Sequence, residues 1–174
     1  MPGGRRPRSD RATFGKASRV NAVRTWLAGP DEAAEVARLL VGFRDWYGRS
    51  EPPAETFLAG VERLIVRPDA EYLLAAAADR PAGGVCQVRY RYGVWTASED
   101  CWLEDLFVAE DDRRFGLGAA LVSATIDRAR ERGCGRIELD VSESNRAAWA
   151  LYERMGFSPD YKPPAPNVLM GLRL

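Results

Sequence analysis

The segment from Leu103 to Val122, LEDLFVAEDDRRFGLGAALV, contains three kinds of sequence in direct succession. It begins as an apolar run that holds two acids, continues as a charged loop, and ends in small and aliphatic residues. The apolar run is typical of a strand, and the residues after the loop recur at helical spacing as far as Gly133, a typical helix end. The sequence therefore predicts a strand, a glycine-containing loop and a helix, one directly after another.

The junction between the loop and the helix has the features of an anion-binding site. N–H groups in the first turn of a helix lack partners, and the helix dipole adds about half a positive charge there. Gly116 and Gly118 carry no Cβ, so a diphosphate can approach the backbone, and Arg113 and Arg114 add charge. The alternative is a solvated loop whose glycines form a tight turn.

The residues around Gly118 exclude two common phosphate-binding loops. A P-loop requires Gly-Lys-Ser/Thr, whereas here Ala119 and Ala120 follow the glycine. A dinucleotide-binding loop requires a third glycine at the position of Leu121. The pattern that fits is Arg-x-x-Gly-x-Gly, over residues 113–118.

Composition limits the remaining classes of protein. The chain has 174 residues, with 25 basic and 25 acidic side chains, which suits one globular domain and argues against nucleic acid or an anionic membrane as partner. No apolar run approaches the roughly 18 residues of a membrane span, and no signal peptide is apparent. Histidine is absent, which excludes Ser-His-Asp and Cys-His catalysis and argues against a zinc site, so we expect no metal. Cys86, Cys101 and Cys134 are odd in number and far apart, which favours a reducing cytoplasm.

The pattern along the chain divides it into a tail and one domain. Residues 1–20 are basic with little apolar periodicity, and we expect a disordered, solvated arm there, with a nucleic-acid contact as the alternative. The domain is expected over residues 21–174. The predicted elements are a strand at 21–28, helices at 29–48 and about 53–67, a hairpin of 70–78 with 84–94, a strand at 101–108, a helix at 115–133, a strand at 136–141 and a helix at 145–156.

A second motif lies in the last of these helices. It reads Asn-x-x-Ala-x-x-x-Tyr-x-x-x-Gly-Phe, with the named positions at Asn145, Ala148, Tyr152, Gly156 and Phe157. Together with the glycine loop, about 30 residues before it, this motif resembles the two signatures of the GNAT family of N-acetyltransferases. The resemblance covers residues 21–174 and is most specific over residues 103–157.

The resemblance implies a fold and a cosubstrate. The fold is α+β, a mixed and mostly antiparallel sheet with helices on both faces. Acetyl-CoA would lie in a V-shaped opening between the strand that ends at Val108 and the strand near Leu139. A homodimer is expected only from the resemblance to the family.

The resemblance also implies which residues bind acetyl-CoA. The backbone of Leu106, Phe107 and Val108 would pair with the pantetheine arm. The pyrophosphate would be bound by Arg113, Arg114, Phe115, Gly116, Leu117, Gly118 and Ala119. Asn145, Ala148 and Tyr152 would contact the coenzyme from one helix face, although a helix cap alone also explains Asn145. Arg114 departs from the usual pattern, where glycine is frequent, and it would be strained if its φ were positive.

Acyl transfer to an amine needs a base and an acid. A primary amine is mostly protonated at neutral pH, with a pKa of about 10.4, and must lose a proton before it attacks. Without histidine, carboxylates are the natural bases, and Glu104 and Asp105 lie in an otherwise apolar strand. Strict alternation predicts that these two acids lie on opposite faces, so that only one of them faces the acceptor. Glu104 is favoured, because LEDLFV resembles the stretch of spermidine/spermine N-acetyltransferases in which these acids meet the substrate; the alternative is a structural acid.

Tyr152 is the expected general acid. Its phenol remains protonated at neutral pH and can donate a proton to the departing thiolate, whereas the alternative is a tyrosine that only packs. Trp46 and Tyr47, at a predicted helix end, are expected to line the acceptor site or else to cover the edge of the core.

The sequence therefore predicts a cytoplasmic enzyme that transfers the acetyl group of acetyl-CoA directly to a primary amine. A small, polyamine-like amine is favoured as acceptor, and a protein N-terminus or lysine is second. The alternative from another class is a sensor that binds acyl-CoA without turnover.

Overall fold

The computed structural model describes residues 22–159. The predicted tail at 1–20 and the closing segment NVLMGLRL lie outside the described residues. The strands are β1 Val23–Leu27, β2 Ala70–Ala77, β3 Gly84–Gly93, β4 Ser98–Val108 and β5 Arg136–Glu138. The helices are α1 Ala33–Trp46, α2 Ala54–Leu64, α3 Leu117–Glu131 and α4 Arg146–Arg154, with short 3-10 turns at Pro30–Glu32 and Glu110–Asp112. No helix among the described residues is long and apolar enough to cross a bilayer.

The five strands form one sheet in the order β1-β2-β3-β4-β5. The first three contacts are antiparallel, and β4 pairs with β5 in parallel. Helices α1 and α2 pack on one face of the sheet against Leu74, Val85 and Phe107. Helix α3 and Tyr152 of α4 pack on the other face against Leu73 and Leu103. The predicted α+β fold, with a mixed and mostly antiparallel sheet and helices on both faces, is confirmed.

Strand β2 has a sequence that suits a sheet covered on both sides. Seven of its eight residues are buried, so its apolar side chains do not alternate with polar ones. Leu73 faces α3, and Leu74 faces α1. Three alanines at its end leave little side-chain bulk, which lets helices on both faces approach the sheet closely.

The strand predicted at 136–141 is shorter in the structure, because β5 ends at Glu138. Its pairing with β4 covers only Asp100 to Trp102, opposite Arg136 to Glu138. At that point the buried carboxylate of Asp100 accepts a hydrogen bond from Arg136 at 3.0 Å. Beyond Trp102, β4 has no partner on its β5 side among residues 22–159. The sheet therefore splits into a V-shaped opening.

A cluster of ion pairs joins α3 to the middle of the sheet. Glu71 of β2 accepts from Arg128 at 2.6 Å, from Arg132 at 3.4 Å and from the Tyr90 hydroxyl at 3.0 Å. Arg132 also stacks on the Tyr90 ring, with its guanidinium carbon 3.8 Å from the ring centroid. Burial opposes the ionisation of Glu71, but the hydrogen bonds from Arg128 and Tyr90 outweigh it and hold its pKa below the ordinary value.

Replacing Glu71 by glutamine should lower the free energy of unfolding at pH 7 by roughly 2 kcal/mol, because two arginines lose their shared counter-charge. A pKa that is lowered in the folded state stabilises the protein above the unfolded carboxyl pKa of about 4.3 and ceases to do so as pH falls below the folded pKa. The difference between wild type and Glu71→Gln in urea unfolding should therefore shrink on acidification. Glu131→Gln, at the exposed end of the same cluster, should change stability little. An equal effect of the two variants would contradict a structural role for Glu71.

Candidate active site

The loop before α3 presents unpaired backbone donors. Gly116 is the N-cap of α3 with a φ of 89°, and no side chain caps this helix end. The first bond of the helix runs from the Ala120 amide to the Gly116 carbonyl. The amides from Arg114 to Ala119 donate to no other described residue. These free donors at the positive end of a helix fit a diphosphate.

Arg114, which stands at a motif position where glycine is frequent, adopts a strained backbone conformation. Its φ is 68°, which lies in the left-handed region that costs a residue with a side chain about 1–2 kcal/mol. The side chain of Arg113 contacts other residues of the protein. Its Nε donates to the carbonyl oxygen of Val108 at 3.2 Å, and its guanidinium lies 5.9 Å from the Trp46 ring centroid. Arg113 therefore links the end of β4 to the end of α1.

A β-bulge in β4 brings Glu104 and Asp105 together. Gln87 of β3 pairs with Asp105, but the next residue, Val88, pairs with Leu103, so Glu104 is the extra residue. Leu103 and Leu106 consequently pack on the same face of the sheet, which strict alternation would forbid. The Gln87 side chain donates to the carboxylate of Glu104 at 2.8 Å. The prediction that the two acids lie on opposite faces is wrong, because the bulge resets the alternation between them.

The two acids differ in environment. Glu104 is exposed, whereas Asp105 is half-buried. Burial, followed by the negative charges of Glu104 and Asp140, raises the pKa of Asp105 to about 6. A carboxyl group with this pKa is mostly ionised at neutral pH and can accept a proton.

Tyr152 lies in α4, and its side chain packs into the apolar cluster on the α3 face of the sheet. Its side chain is only 7% exposed, and its ring packs edge-on against Phe157 with the centroids 5.7 Å apart. Its hydroxyl makes no hydrogen bond with any residue of the described range. Burial raises the pKa of Tyr152, followed by the charges of Cys86, Asp140 and Tyr47 in their ionised forms. The phenol is therefore protonated at neutral pH and has a proton to donate.

Asp140 is a further candidate for the site that the sequence did not single out. It follows β5, and its negative charge contributes to the raised pKa of both Asp105 and Tyr152. An acid in the apolar run RIELDV was the available signal, because an unpaired charge in such a run is costly.

Trp46 and Tyr47 lie at the end of α1 and are 49% and 56% exposed. A series of ring contacts joins them to β4, with Phe107 to Phe43 at 5.4 Å, Phe43 to Tyr47 at 4.9 Å and Tyr47 to Trp46 at 4.9 Å between centroids. This aromatic group therefore connects the exposed end of α1 with the end of β4.

Asn145 caps α4, as one of the two sequence interpretations expected. Its Oδ1 accepts a hydrogen bond from the amide of Ala148 at 3.2 Å. The side-chain NH₂ group of Asn145 makes no hydrogen bond within the described range, so the cap leaves it free for a further contact. The coenzyme contacts of Asn145 and Ala148 remain predictions.

Comparisons with known proteins agree on one family. A profile of the acetyltransferase (GNAT) family matches residues 34–157. Streptothricin acetyltransferase of Streptomyces lavendulae is 36% identical over 90 residues, 52% of this chain and 46% of that protein. The [ribosomal protein bS18]-alanine N-acetyltransferase of Escherichia coli K12 is 42% identical over 60 residues, 34% of this chain and 40% of that protein. The chain thus spans less than half the length of these two relatives. The crystal structure of a putative acetyltransferase from Arthrobacter sp. FB24 superposes with a TM-score of 0.76 at 27% identity, covering 91% of this chain and 99% of that one.

Gly118→Asp should abolish most of the thermal stabilisation by acetyl-CoA, which for the wild type amounts to about 2.7 kcal/mol at a hundred times Kd. A Cβ at this position would make only ordinary contact with Leu151, at 3.4 Å, so the variant should fold, while its carboxylate would repel the pyrophosphate. Gly60→Asp is the matched control, because Gly60 lies in α2 with open space around it. An unchanged ligand-induced shift in folded Gly118→Asp would contradict the assignment of the loop.

Proposed function

The chain belongs to the GNAT family of acetyltransferases, and on that premise we propose that it transfers the acetyl group of acetyl-CoA to a primary amine. One observation carries the proposal: the amides at the start of α3 and the edge of β4 beyond Trp102 are both unpaired within residues 22–159, and the same stretch of β4 holds Glu104 and Asp105. Acetyl-CoA supplies the activated acetyl group as a thioester. The free amides at the start of α3 suit its pyrophosphate, and the unpaired edge of β4 from Leu106 to Val108 suits its pantetheine arm.

Asp105 is the proposed base. It would take a proton from the acceptor's ammonium group, directly or through water, and its pKa near 6 is close enough to neutrality for that task. Glu104, which the sequence favoured, is more exposed and already accepts a hydrogen bond from Gln87. We assign Glu104 to attraction of the cationic acceptor instead. The bulge that places the two acids together is what makes this division of roles available.

Tyr152 is the proposed general acid. Burial keeps its phenol protonated, and the lack of an internal hydrogen-bond partner leaves the proton free to be donated to the departing sulfur. The end of α4 where Tyr152 lies packs against α3, whose first turn carries the proposed pyrophosphate site. In this proposal the tyrosine acts on the thioester and the loop binds the pyrophosphate of one extended cosubstrate.

A small amine remains the favoured acceptor. Three acids, Glu104, Asp105 and Asp140, suit a cation, and the exposed rings of Trp46 and Tyr47 can add cation–π attraction. The preference for a polyamine-like compound rests on these acids and on the resemblance of LEDLFV, and the names of the two relatives point to other acceptors. An N-terminal amine of a protein is the second candidate, because one relative acts on an alanine of ribosomal protein bS18.

We also infer a reducing, cytoplasmic location, since all three cysteines are free. A homodimer remains a prediction.

The test is release of coenzyme A from acetyl-CoA with a panel of acceptors at one pH. The panel pairs a diamine with the monoamine of equal length, and adds a peptide with a free N-terminal alanine and its acetylated form. We expect release with the diamine, weaker release with the monoamine, and none with the acetylated peptide. Tight binding of acetyl-CoA without release in the presence of any amine would contradict the proposal and favour the sensor.

Tyr152→Phe should lower kcat on the best acceptor by about 10²-fold while leaving the thermal shift with acetyl-CoA nearly unchanged. The change keeps the ring against Phe157 and removes only the hydroxyl. Tyr90→Phe is the matched control, because that hydroxyl is also buried but donates to Glu71, away from the opening. Activity of Tyr152→Phe within a few-fold of wild type would make the residue a packing tyrosine.

A further inference from the structure

Three polar side chains form a row across the sheet that ends at the acceptor site. Tyr72 of β2 pairs in register with Gln87 of β3, and Gln87 pairs with Asp105 of β4. Tyr72 belongs to the apolar cluster beneath α1 and α2, and Gln87 is buried as well. A polar row of this kind in an otherwise apolar layer is costly unless its members satisfy one another.

The hydroxyl of Tyr72 lacks a partner within the described part of the chain. The residue is 1% exposed, and its hydroxyl neither donates to nor accepts from any residue between 22 and 159. The hydroxyl oxygen is not among the fully enclosed polar atoms that lack a partner, so a water molecule can reach it. The polar side chains that are aligned with Tyr72 in register lie in β3 and β4.

Asp105 is the complementary group at the other end of the row. Its carboxylate accepts no hydrogen bond from any described residue. The carboxylate of Glu104 beside it accepts a hydrogen bond from the side-chain amide of Gln87 at 2.8 Å. Burial, followed by the negative charges of Asp105 and then Glu104, raises the pKa of Tyr72 to about 12. The unpaired donor and the unpaired acceptor are thus electrostatic neighbours.

The other charged groups nearby do not offer the phenol an alternative acceptor. Arg89 of β3 lowers the pKa of Tyr72, but a guanidinium carries donors only, and it is paired with Asp69 at 3.4 Å. Around Asp105 the groups that titrate are Glu104 and Asp140, whose charges raise its pKa, together with the thiol of Cys86 and the phenol of Tyr72, which are neutral at physiological pH. No cation among them stabilises the ionised form of Asp105.

We propose that Tyr72 is a positioning residue for Asp105: its hydroxyl donates a hydrogen bond to one water molecule that in turn donates to the Asp105 carboxylate. This contact stabilises the ionised carboxylate against the repulsion of Glu104 and Asp140 and fixes the direction in which Asp105 faces the acceptor. Gln87 completes the row, because its side chain donates a hydrogen bond to Glu104. The phenol of Tyr72 is therefore left to interact with Asp105 alone. The inference rests on the proposed function only in calling Asp105 the base.

The test is a carboxyl-carbon NMR titration of Asp105 in the coenzyme-free protein, for wild type and Tyr72→Phe. A hydrogen bond to the charged form lowers a carboxyl pKa, so loss of the hydroxyl should raise the titration midpoint of Asp105 by about half a pH unit or more. The acid limb of kcat/KM should move to higher pH by the same amount, with the plateau at high pH retained. Tyr90→Phe, which loses a buried hydroxyl on the other face of the sheet, should leave both midpoints unchanged.

An Asp105 midpoint that is identical in wild type and Tyr72→Phe would overturn the proposal and leave Tyr72 as a packing residue. A reciprocal measurement guards against a disturbed fold. In Asp105→Asn, the phenol carbon of Tyr72 should titrate at lower pH than in wild type, because the negative charge that raises its pKa is gone; no change would likewise overturn the proposal. These titrations need no turnover, so a protein that shows the shifts but acetylates no amine would contradict the proposed function and not the contact.

Discussion

The parallel contact between β4 and β5 ends after three residue pairs, and the arrangement of the site depends on this early end. The buried Asp100 and its partner Arg136 hold the two strands together at the closed end, so the strands separate from a fixed point. Past that point β4 has one edge without a strand partner among residues 22–159, and the chain after β5 continues through Asp140 to α4 without pairing to β4. An extended cosubstrate can occupy such an edge as a further strand would, with main-chain hydrogen bonds.

Within that opening, the β-bulge at Glu104 determines the chemistry. In a regular strand, one of the two acids would be on the face covered by α3, where a charge would be costly. The bulge instead places both beside Gln87, which gives a coupled pair that faces Asp140. Burial, and after it repulsion from Glu104 and Asp140, raises the pKa of Asp105 toward neutrality. The negative charge of the same acids favours a cationic acceptor.

Local signals in the sequence were enough to predict most elements, the glycine loop, the cap at Asn145 and the family. What they missed depends on partners distant in sequence. The length of β5 is set by how far β4 runs beside it, and the bulge is set by the register between β3 and β4, which no pattern within β4 reveals. Likewise, Tyr72 is a typical core tyrosine by sequence, and only its alignment with Gln87 and Asp105 distinguishes it. Backbone strain at Arg114 could be expected from the motif, because glycine is frequent at that position, and the φ of Arg114 is positive in the structure.

The most direct measurement of the central claim is the pH dependence of kcat/KM for coenzyme A release in Asp105→Asn and Glu104→Gln. The account predicts that Asp105→Asn loses turnover at every pH, so that its pH profile of kcat/KM no longer shows an acid limb. Glu104→Gln should keep the limb but move it below the wild-type midpoint near 6, because the charge that raises the pKa of Asp105 has been removed, and it should raise KM for a cationic amine. Wild-type turnover in Asp105→Asn with an intact acid limb would contradict the account.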